Sequence, residues 1–152
     1  MPYLEDGDMF SMIALPQRPM DEHTAFFHIE LILNGLDALH SLGLAHHDMK
    51  LENTMLHQNM PVIIDMGMMI KVPVPNPTLA PPVKFAPRNG WPCRCGTPMY
   101  FAPEIADLNK SFDPLAVDMW TVGVMLFIML VGESFPYNGI VETPAYILVR
   151  AL

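Results

Sequence analysis

The sequence has few basic residues and few cysteines. Eight lysines and arginines stand against sixteen aspartates and glutamates, which gives a formal net charge of −8. Because phosphate backbones and anionic lipids do not attract such a surface, we expect neither a nucleic-acid partner nor a membrane partner. Cys93 and Cys95 are too close in sequence to pair readily, and no second pair completes a zinc site. We therefore expect two reduced thiols in a soluble, cytoplasmic protein, with a nuclear location left open.

A targeting signal and a long apolar run are also missing. The chain starts with acidic residues where a secretory signal needs a basic start, so we expect no signal peptide. The main apolar run, residues 119–132, is about 14 residues long, and a membrane-spanning helix needs roughly 20. This run predicts a helix in a protein core. With 152 residues, 51% of them hydrophobic, the chain can form one domain with one core.

Apolar spacing and turn residues predict a mainly helical chain. Helices are expected at residues 9–14, 21–42, 114–131 and 143–151, and short strands at 44–45, 54–56 and 62–64. Asp21 is expected to cap the second helix and Gly43 to end it. The predicted apolar face of that helix comprises Phe26, Ile29, Leu33, Leu36, Leu39 and His40. Nine of the sixteen prolines lie between residues 73 and 103, which predicts a long irregular loop, and such loops are usually functional.

Four polar blocks follow one another in a defined order, at residues 46–53, 65–67, 96–104 and 118–123. Each block alone is compatible with a solvated turn. Together they bring two carboxylates, Asp48 and Asp65, into one chain with the amide of Asn53. Such a set can divide the work of phosphoryl transfer, since one carboxylate accepts the proton of a hydroxyl substrate and the other oxygens hold magnesium against phosphates.

The ordered pattern H-x-D-x-K-x-x-N, D-x-G, G-T-x-x-Y-x-A-P-E and D-x-W-x-x-G resembles the eukaryotic protein kinase superfamily. The resemblance extends from residue 1 to about residue 150. It implies a kinase-like C-terminal lobe that is mainly α-helical, with a few short β-strands around the catalytic loop and with the N-lobe absent. The partial kinase domain, residues 1–152, would comprise a hinge (1–10), a region with two helices, the catalytic loop and Asp-Met-Gly (11–72), an activation segment (73–104) and the buried helix with the region after it (105–152).

The resemblance implies ATP and Mg²⁺ as cofactors and a protein Ser/Thr side chain as substrate. Asp48 resembles the catalytic base, and Lys50 the lysine that neutralises charge on the γ-phosphate. Thr97 resembles the threonine that bonds to both in Ser/Thr kinases. Asn53 and Asp65 resemble the metal ligands.

Residues 1–10 are similar to the hinge of the cyclic-AMP-dependent kinase group. This likeness implies that backbone groups of Leu4 meet adenine, that Asp8 faces the ribose and that Met55 forms an apolar floor under the base. The expected nucleotide-binding set is Leu4, Asp8, Lys50, Asn53, Met55 and Asp65.

Further positions of the family pattern concern structure and specificity. Glu104 resembles the acid that pins the end of the activation segment, and Asp118 the helix carboxylate that ties down the catalytic loop. His47 stands where many kinases have an arginine that grips a phosphate, and imidazole is a poorer anion clamp. Met66 replaces a phenylalanine, with apolar packing as its expected role. Phe112 lies in a region expected to face a peptide substrate, as do Glu133 and Glu142.

Two functions remain open at this stage. The first is a truncated Ser/Thr protein kinase, which transfers the γ-phosphate of ATP in the complete enzyme. The chain alone is expected to be inactive, because phosphoryl transfer depends on positioning and charge neutralisation by parts that these 152 residues lack. The second is a non-catalytic, pseudokinase-like scaffold or binding module. The substrate motif and the oligomeric state cannot be predicted from the sequence.

Overall fold

The part of the chain that the computed structural model describes is mainly helical. It consists of residues 6–14, 18–72, 96–106 and 112–132. Several predictions from sequence concern residues outside these ranges. These are the terminal helix at 143–151, most of the proline-rich loop, and the single residues Leu4, Cys93, Cys95, Glu133 and Glu142.

Along the described chain, two helices come first, four short strands follow, and two further helices come last. The helices are α1 (Met9–Ala14), α2 (Glu22–Ser41), α3 (Pro103–Ala106) and α4 (Pro114–Val131). The strands are β1 (Leu44–Ala45), β2 (Thr54–His57), β3 (Met60–Ile63) and β4 (Ile70–Lys71). Short 3₁₀ turns lie at η1 (Leu51–Asn53), η2 (Met66–Met68) and η3 (Pro98–Tyr100). The helices predicted at 9–14, 21–42 and 114–131 and the three predicted strands are confirmed, whereas the sequence predicted neither α3 nor β4.

Helix α2 begins after a capping residue, Asp21, and ends before a glycine, Gly43. The Asp21 carboxylate accepts hydrogen bonds from the Thr24 amide (3.0 Å) and the Thr24 hydroxyl (2.6 Å), which satisfies a free N–H of the first turn. The bond from the Thr24 hydroxyl, and to a smaller extent the bond from the Thr24 amide, hold the pKa of Asp21 below its ordinary value. After the helix, Gly43 adopts a left-handed backbone with φ of 71°.

The buried face of α2 differs from the predicted one. Its buried residues are Ala25, His28, Ile29, Ile32 and Leu36. Phe26 was expected on this face but is 49% exposed. Ala25 takes the inward position in the first turn, and the next residue lies about 100° further around the helix, because a turn contains 3.6 residues.

Helix α4 runs through the core and has the bounds that the sequence predicted. The Asp113 carboxylate accepts from the Leu115 amide (2.9 Å), and Pro114 occupies the first turn. At the other end Gly132 has φ of 75°, and a side chain there would meet Pro19 at 3.1 Å. The helix spans 18 residues and is apolar enough to cross a membrane by length and composition alone, a test that core helices also pass. Half of it is buried within the protein, which agrees with the predicted core helix.

Two small antiparallel sheets frame the loops between the helices. Strands β1 and β4 pair with Leu44 opposite Lys71, and strands β2 and β3 form a hairpin with Thr54 opposite Ile63. One hydrophobic core joins α1, α2, α4 and the hairpin. It includes Met9, Ile13, Ile29, Ile32, Leu36, Leu56, Val122, Met125, Ile128 and Met129.

Because Leu36 is buried and Phe26 is exposed, we expect their substitution to lower the free energy of unfolding by different amounts. Leu36→Ala removes a side chain that is 1% exposed, so we expect the free energy of unfolding to fall by about 2–5 kcal/mol. Phe26→Ala removes a half-exposed ring and is expected to cost less than about 1 kcal/mol. Urea unfolding followed by circular dichroism measures both values. An equal loss in the two variants would show that Phe26 belongs to the core.

Candidate active site

A buried carboxylate on α4 holds the turn that follows β1. Asp118 is fully buried. Its Oδ1 accepts from the backbone N–H of His47 at 2.8 Å. Its Oδ2 accepts from the backbone N–H of His46 at 2.7 Å and lies 2.9 Å from Nε2 of His40 on α2. His47 has φ of 64°, an unfavourable conformation for a residue with a Cβ, so these bonds hold a strained turn in place. The predicted tie between Asp118 and the loop is thus present.

The imidazole of His46 links this turn to the segment that carries Asp65. Its Nδ1 accepts from the Asp48 amide (3.3 Å), and its Nε2 lies 3.0 Å from the carbonyl oxygen of Ile64. A carbonyl can only accept, so Nε2 carries the proton and the ring is in one defined tautomer. His46 therefore joins the residue before Asp65 to the backbone of Asp48.

Four of the predicted catalytic and binding residues form one hydrogen-bonded cluster. Asp48 Oδ2 lies 2.9 Å from Lys50 Nζ and accepts from Asn53 Nδ2, also at 2.9 Å. Lys50 Nζ donates to Thr97 Oγ1 at 2.9 Å, across 47 residues of sequence. Asn53 Nδ2 donates to the Asp48 carbonyl as well (2.9 Å), so its side-chain oxygen is directed away from these contacts. The structure therefore brings together Asp48, Lys50, Asn53 and Thr97.

The second oxygen of the Asp48 carboxylate lies beside a glycine. A Cβ built on Gly96 would stand 3.2 Å from Asp48 Oδ1 and 3.3 Å from the carbonyl oxygen of His47. Gly96 also has φ of 101°, which other residues rarely adopt. The glycine thus lets the segment before Thr97 pass close to Asp48 without crowding its carboxylate.

Asp65 lies at the end of the hairpin in a left-handed conformation, with φ of 60°. Its Oδ1 accepts from the Gly67 amide at 3.2 Å, and no hydrogen bond within the described chain joins it to the Asp48 cluster. The next residue, Met66, was expected to pack against apolar neighbours but is 40% exposed, so that expectation is wrong for the described chain. The described residues contain no group of three His, Cys, Asp or Glu side chains that could hold a metal ion.

Of the expected nucleotide-binding residues near the hinge, the structure describes Asp8 and Met55. Asp8 and Met55 are partners in an isolated antiparallel bridge, so the two predicted positions are adjacent. The Asp8 carboxylate caps α1, since its two oxygens accept from the amide and the hydroxyl of Ser11, each at 2.7 Å. Sequence reasoning missed this capping role, although an Asp three residues before a Ser at a helix start is a recognisable signal.

Sequence reasoning also missed a contact between η3 and the catalytic loop. The Tyr100 hydroxyl donates to Glu52 Oε2 (3.1 Å) and accepts from the Leu51 amide (3.4 Å). Burial, reinforced by the Glu52 carboxylate, raises the pKa of Tyr100 above its ordinary value, so the phenol stays protonated and can donate. The tyrosine belongs to the recognised pattern, but its partner could not be deduced from spacing.

His47 does not form a surface clamp for an anion. It is 5% exposed, and both ring nitrogens are buried without a hydrogen-bond partner among the described residues. Its ring lies against Phe112, with centroids 5.6 Å apart, and it borders a cavity of about 10 Å³. Burial lowers the pKa of His47, while the carboxylates of Asp118 and Asp48 partly oppose this shift. Phe112 is buried as well, so the expectation that it faces a substrate is wrong.

The lowered pKa of His47 predicts a pH dependence of stability. Below the ordinary histidine pKa of about 6.5, the unfolded chain binds a proton that the folded chain does not. The free energy of unfolding should therefore fall as the pH drops below 6.5. The contribution of His47 to the slope of this free energy against pH approaches about 1.4 kcal/mol per pH unit, until the pH reaches the pKa of His47 in the folded chain. Urea titrations between pH 7.5 and pH 5 measure this slope.

Variants separate His47 from the other histidines. His47→Asn keeps a residue that tolerates a left-handed backbone and removes the titrating ring, so the slope should become shallower. His57→Asn, at an exposed position of β2, is the matched control and should leave the slope near the wild-type value. Parallel curves for wild type and His47→Asn would contradict the assignment.

Comparison with known proteins agrees with this geometry. The family model "Protein kinase domain" matches residues 1–148. The chain is 34% identical over 143 residues to cAMP-dependent protein kinase type 3 of Saccharomyces cerevisiae, which covers 91% of this chain and 31% of the relative. It is 33% identical over 142 residues to serine/threonine-protein kinase SAPK3 of Oryza sativa subsp. indica, which covers 91% of this chain and 37% of the relative.

A third relative is serine/threonine-protein kinase PLK4 of Xenopus tropicalis, 34% identical over 129 residues, with 84% of this chain and 12% of the relative covered. The chain thus spans less than two fifths of the length of each of these curated relatives. The family match and the relatives agree with the four ordered blocks and with the cluster around Asp48. The chain belongs to the eukaryotic protein kinase superfamily, among serine/threonine kinases.

Proposed function

We propose that this chain is the C-terminal lobe of a Ser/Thr kinase domain, which in the complete enzyme transfers the γ-phosphate of ATP to a hydroxyl of a protein substrate. The observation that carries the proposal is the joining of Asp48, Lys50, Asn53 and Thr97 through four side-chain contacts, each 2.9 Å long. A solvated turn would have no need to hold two charged groups and an amide in one arrangement.

Asp48 is the proposed base. Its Oδ2 is engaged by Lys50 and Asn53, which leaves Oδ1 as the oxygen that accepts the proton of the substrate hydroxyl. Lys50 supplies a positive charge beside this carboxylate, and Thr97 holds the ammonium group in position. The ammonium then faces the phosphoryl oxygens, where neutralising charge accelerates transfer.

Asn53 and Asp65 are the proposed ligands of Mg²⁺. Asn53 uses both hydrogens of its amide on Asp48, so its oxygen is free to bind a cation. One oxygen of Asp65 accepts from Gly67 and the other is available. Carboxylate and amide oxygens suit a hard cation, and Mg²⁺ keeps several waters, so two protein ligands are sufficient. When bound, the ion neutralises negative charge on the phosphates.

The hinge side supplies the proposed nucleotide contacts. Asp8 and Met55 lie next to each other, which supports their assignment to the ribose and to the floor beneath adenine. Leu4, two residues before the described segment, is proposed to offer backbone groups to the base. Each oxygen of Asp8 accepts a hydrogen bond from Ser11 and retains a further lone pair for a ribose hydroxyl.

The proposal predicts a sharp loss of activity on changing Asp48. In the longest native polypeptide that contains this chain, Asp48→Asn removes the proton acceptor and keeps the shape. We expect Mg²⁺-dependent phosphorylation of a Ser/Thr peptide to fall by about 10²–10⁴-fold. Asp37→Asn, an exposed position of α2, is the matched control and should leave activity unchanged. Incorporation of labelled phosphate from ATP measures both.

Two outcomes would contradict the proposal in different ways. Phosphorylation that is equal in wild type and Asp48→Asn would remove Asp48 from the reaction. Binding of ATP without any phosphorylation by the wild type would favour a scaffold over an enzyme. The 152-residue chain alone is expected to have negligible activity, since its sequence contains no glycine-rich phosphate loop. Robust phosphorylation by this chain would refute that expectation.

A further inference from the structure

The segment before α1 lies along the edge of the β2–β3 hairpin. The Leu56 amide donates to the carbonyl of Gly7 at 2.9 Å. Next to it, Asp8 forms the isolated antiparallel bridge with Met55. Residues 7 and 8 therefore lie beside β2 as a short extended segment, on the outside of the two-stranded hairpin. Two main-chain contacts of this kind are few for a segment that must keep a bound nucleotide at a defined distance from the metal ligands.

A side chain strengthens this contact at the turn of the hairpin. Asp6 Oδ2 accepts from the Gln58 amide at 2.7 Å, although Asp6 and Gln58 are 52 residues apart in sequence. Gln58 and Asn59 form the turn, with φ of 51° and 62°. Both lie in the left-handed region, which suits hairpin twist and which Asn tolerates but Gln does not favour. A charged acceptor at the Gln58 N–H offsets part of this strain.

The open end of the same hairpin carries both proposed metal ligands. β2 begins directly after Asn53, and Asp65 follows β3 by two residues. The Ile64 amide donates to the Asn53 carbonyl at 2.9 Å, which closes this end. Each strand is four residues long, so the turn and the open end are separated by roughly 13 Å at about 3.3 Å per residue.

We propose that Asp6 is a positioning residue for nucleotide binding. By fixing the hinge segment to the turn of the hairpin, it sets the distance between the adenosine side of the site and the metal-binding side, which Asn53 and Asp65 form. Asp6 touches neither nucleotide nor metal in this scheme and acts through the Gln58 amide. The inference rests on the proposed nucleotide site, whereas the contact between Asp6 and the hairpin is independent of it.

Three variants of the longest native polypeptide test the role of Asp6. Asp6→Ala removes the acceptor, Asp6→Asn keeps a side-chain oxygen at the same place, and Asp37→Ala removes an exposed acid from α2 as the matched control. Binding of ATP in the presence of Mg²⁺ is measured by calorimetry, together with kcat and the KM for ATP. We expect Asp6→Ala to weaken ATP binding about three- to tenfold and to raise KM without changing kcat, as the loss of one hydrogen bond predicts. Asp6→Asn and Asp37→Ala should stay within twofold of the wild type.

The outcomes separate this inference from the proposed function. Equal ATP affinity in wild type and Asp6→Ala overturns the inference and leaves the kinase proposal standing. A loss in Asp6→Asn as large as in Asp6→Ala also overturns it, because the retained acceptor should rescue binding. Normal ATP binding without phosphorylation in the wild type overturns the kinase proposal alone, and the binding series still decides the inference. A wild type that binds no ATP overturns both.

Discussion

The candidate site depends on the burial of the Asp118 carboxylate in the core. A buried, unpaired carboxylate is unfavourable by several kcal/mol, so this charge requires donors around it. His40, His46 and His47 provide them, the first through its ring and the others through their backbone N–H groups. Helix α4 is thereby tied to α2 and to the turn after β1. Asp48 follows that turn directly, so the proposed base is positioned by a carboxylate that lies 71 residues from His47 in sequence.

Strained backbone in the described chain lies at three places: the turn after β1, the turn of the hairpin, and the residue before η2. Among the residues that the structure describes, the non-glycine residues with positive φ are His47, Gln58, Asn59 and Asp65. His47 is held by Asp118, Gln58 by Asp6, and Asp65 by its own bond to the Gly67 amide. Such conformations persist only where surrounding contacts over-determine them, and they favour pre-organised sites. The hairpin and the turn after β1 are thus held in place before any ligand binds, which would reduce the reorganisation needed for the proposed phosphoryl transfer.

Sequence patterns predicted much of the fold because local rules act strongly at helix ends. Asp21 and Gly43 bound α2 through capping and left-handed backbone, as predicted, and these effects extend over only a few residues. The periodicity failed at Phe26, because several apolar residues compete for one inward face and packing against other elements decides between them. Strand β4 was missed since two residues give no periodic signal, and only pairing with β1 defines it.

The sequence by itself determined which chemical groups this protein brings to its candidate site and in what order. A carboxylate, a lysine, an amide and a second acid are recognisable from identity and spacing alone. Only the tertiary structure decided their surroundings. It shows which oxygen of Asp48 stays open, that both nitrogens of His47 lack hydrogen-bond partners within the described part of the chain, and that Asp6 bonds to the Gln58 amide. The physical reason is distance along the chain, since the Lys50–Thr97 contact spans 47 residues and the His46–Asp118 contact spans 72. No local pattern encodes such contacts, because the packing of α4 against α2, β1 and η3 brings their partners together.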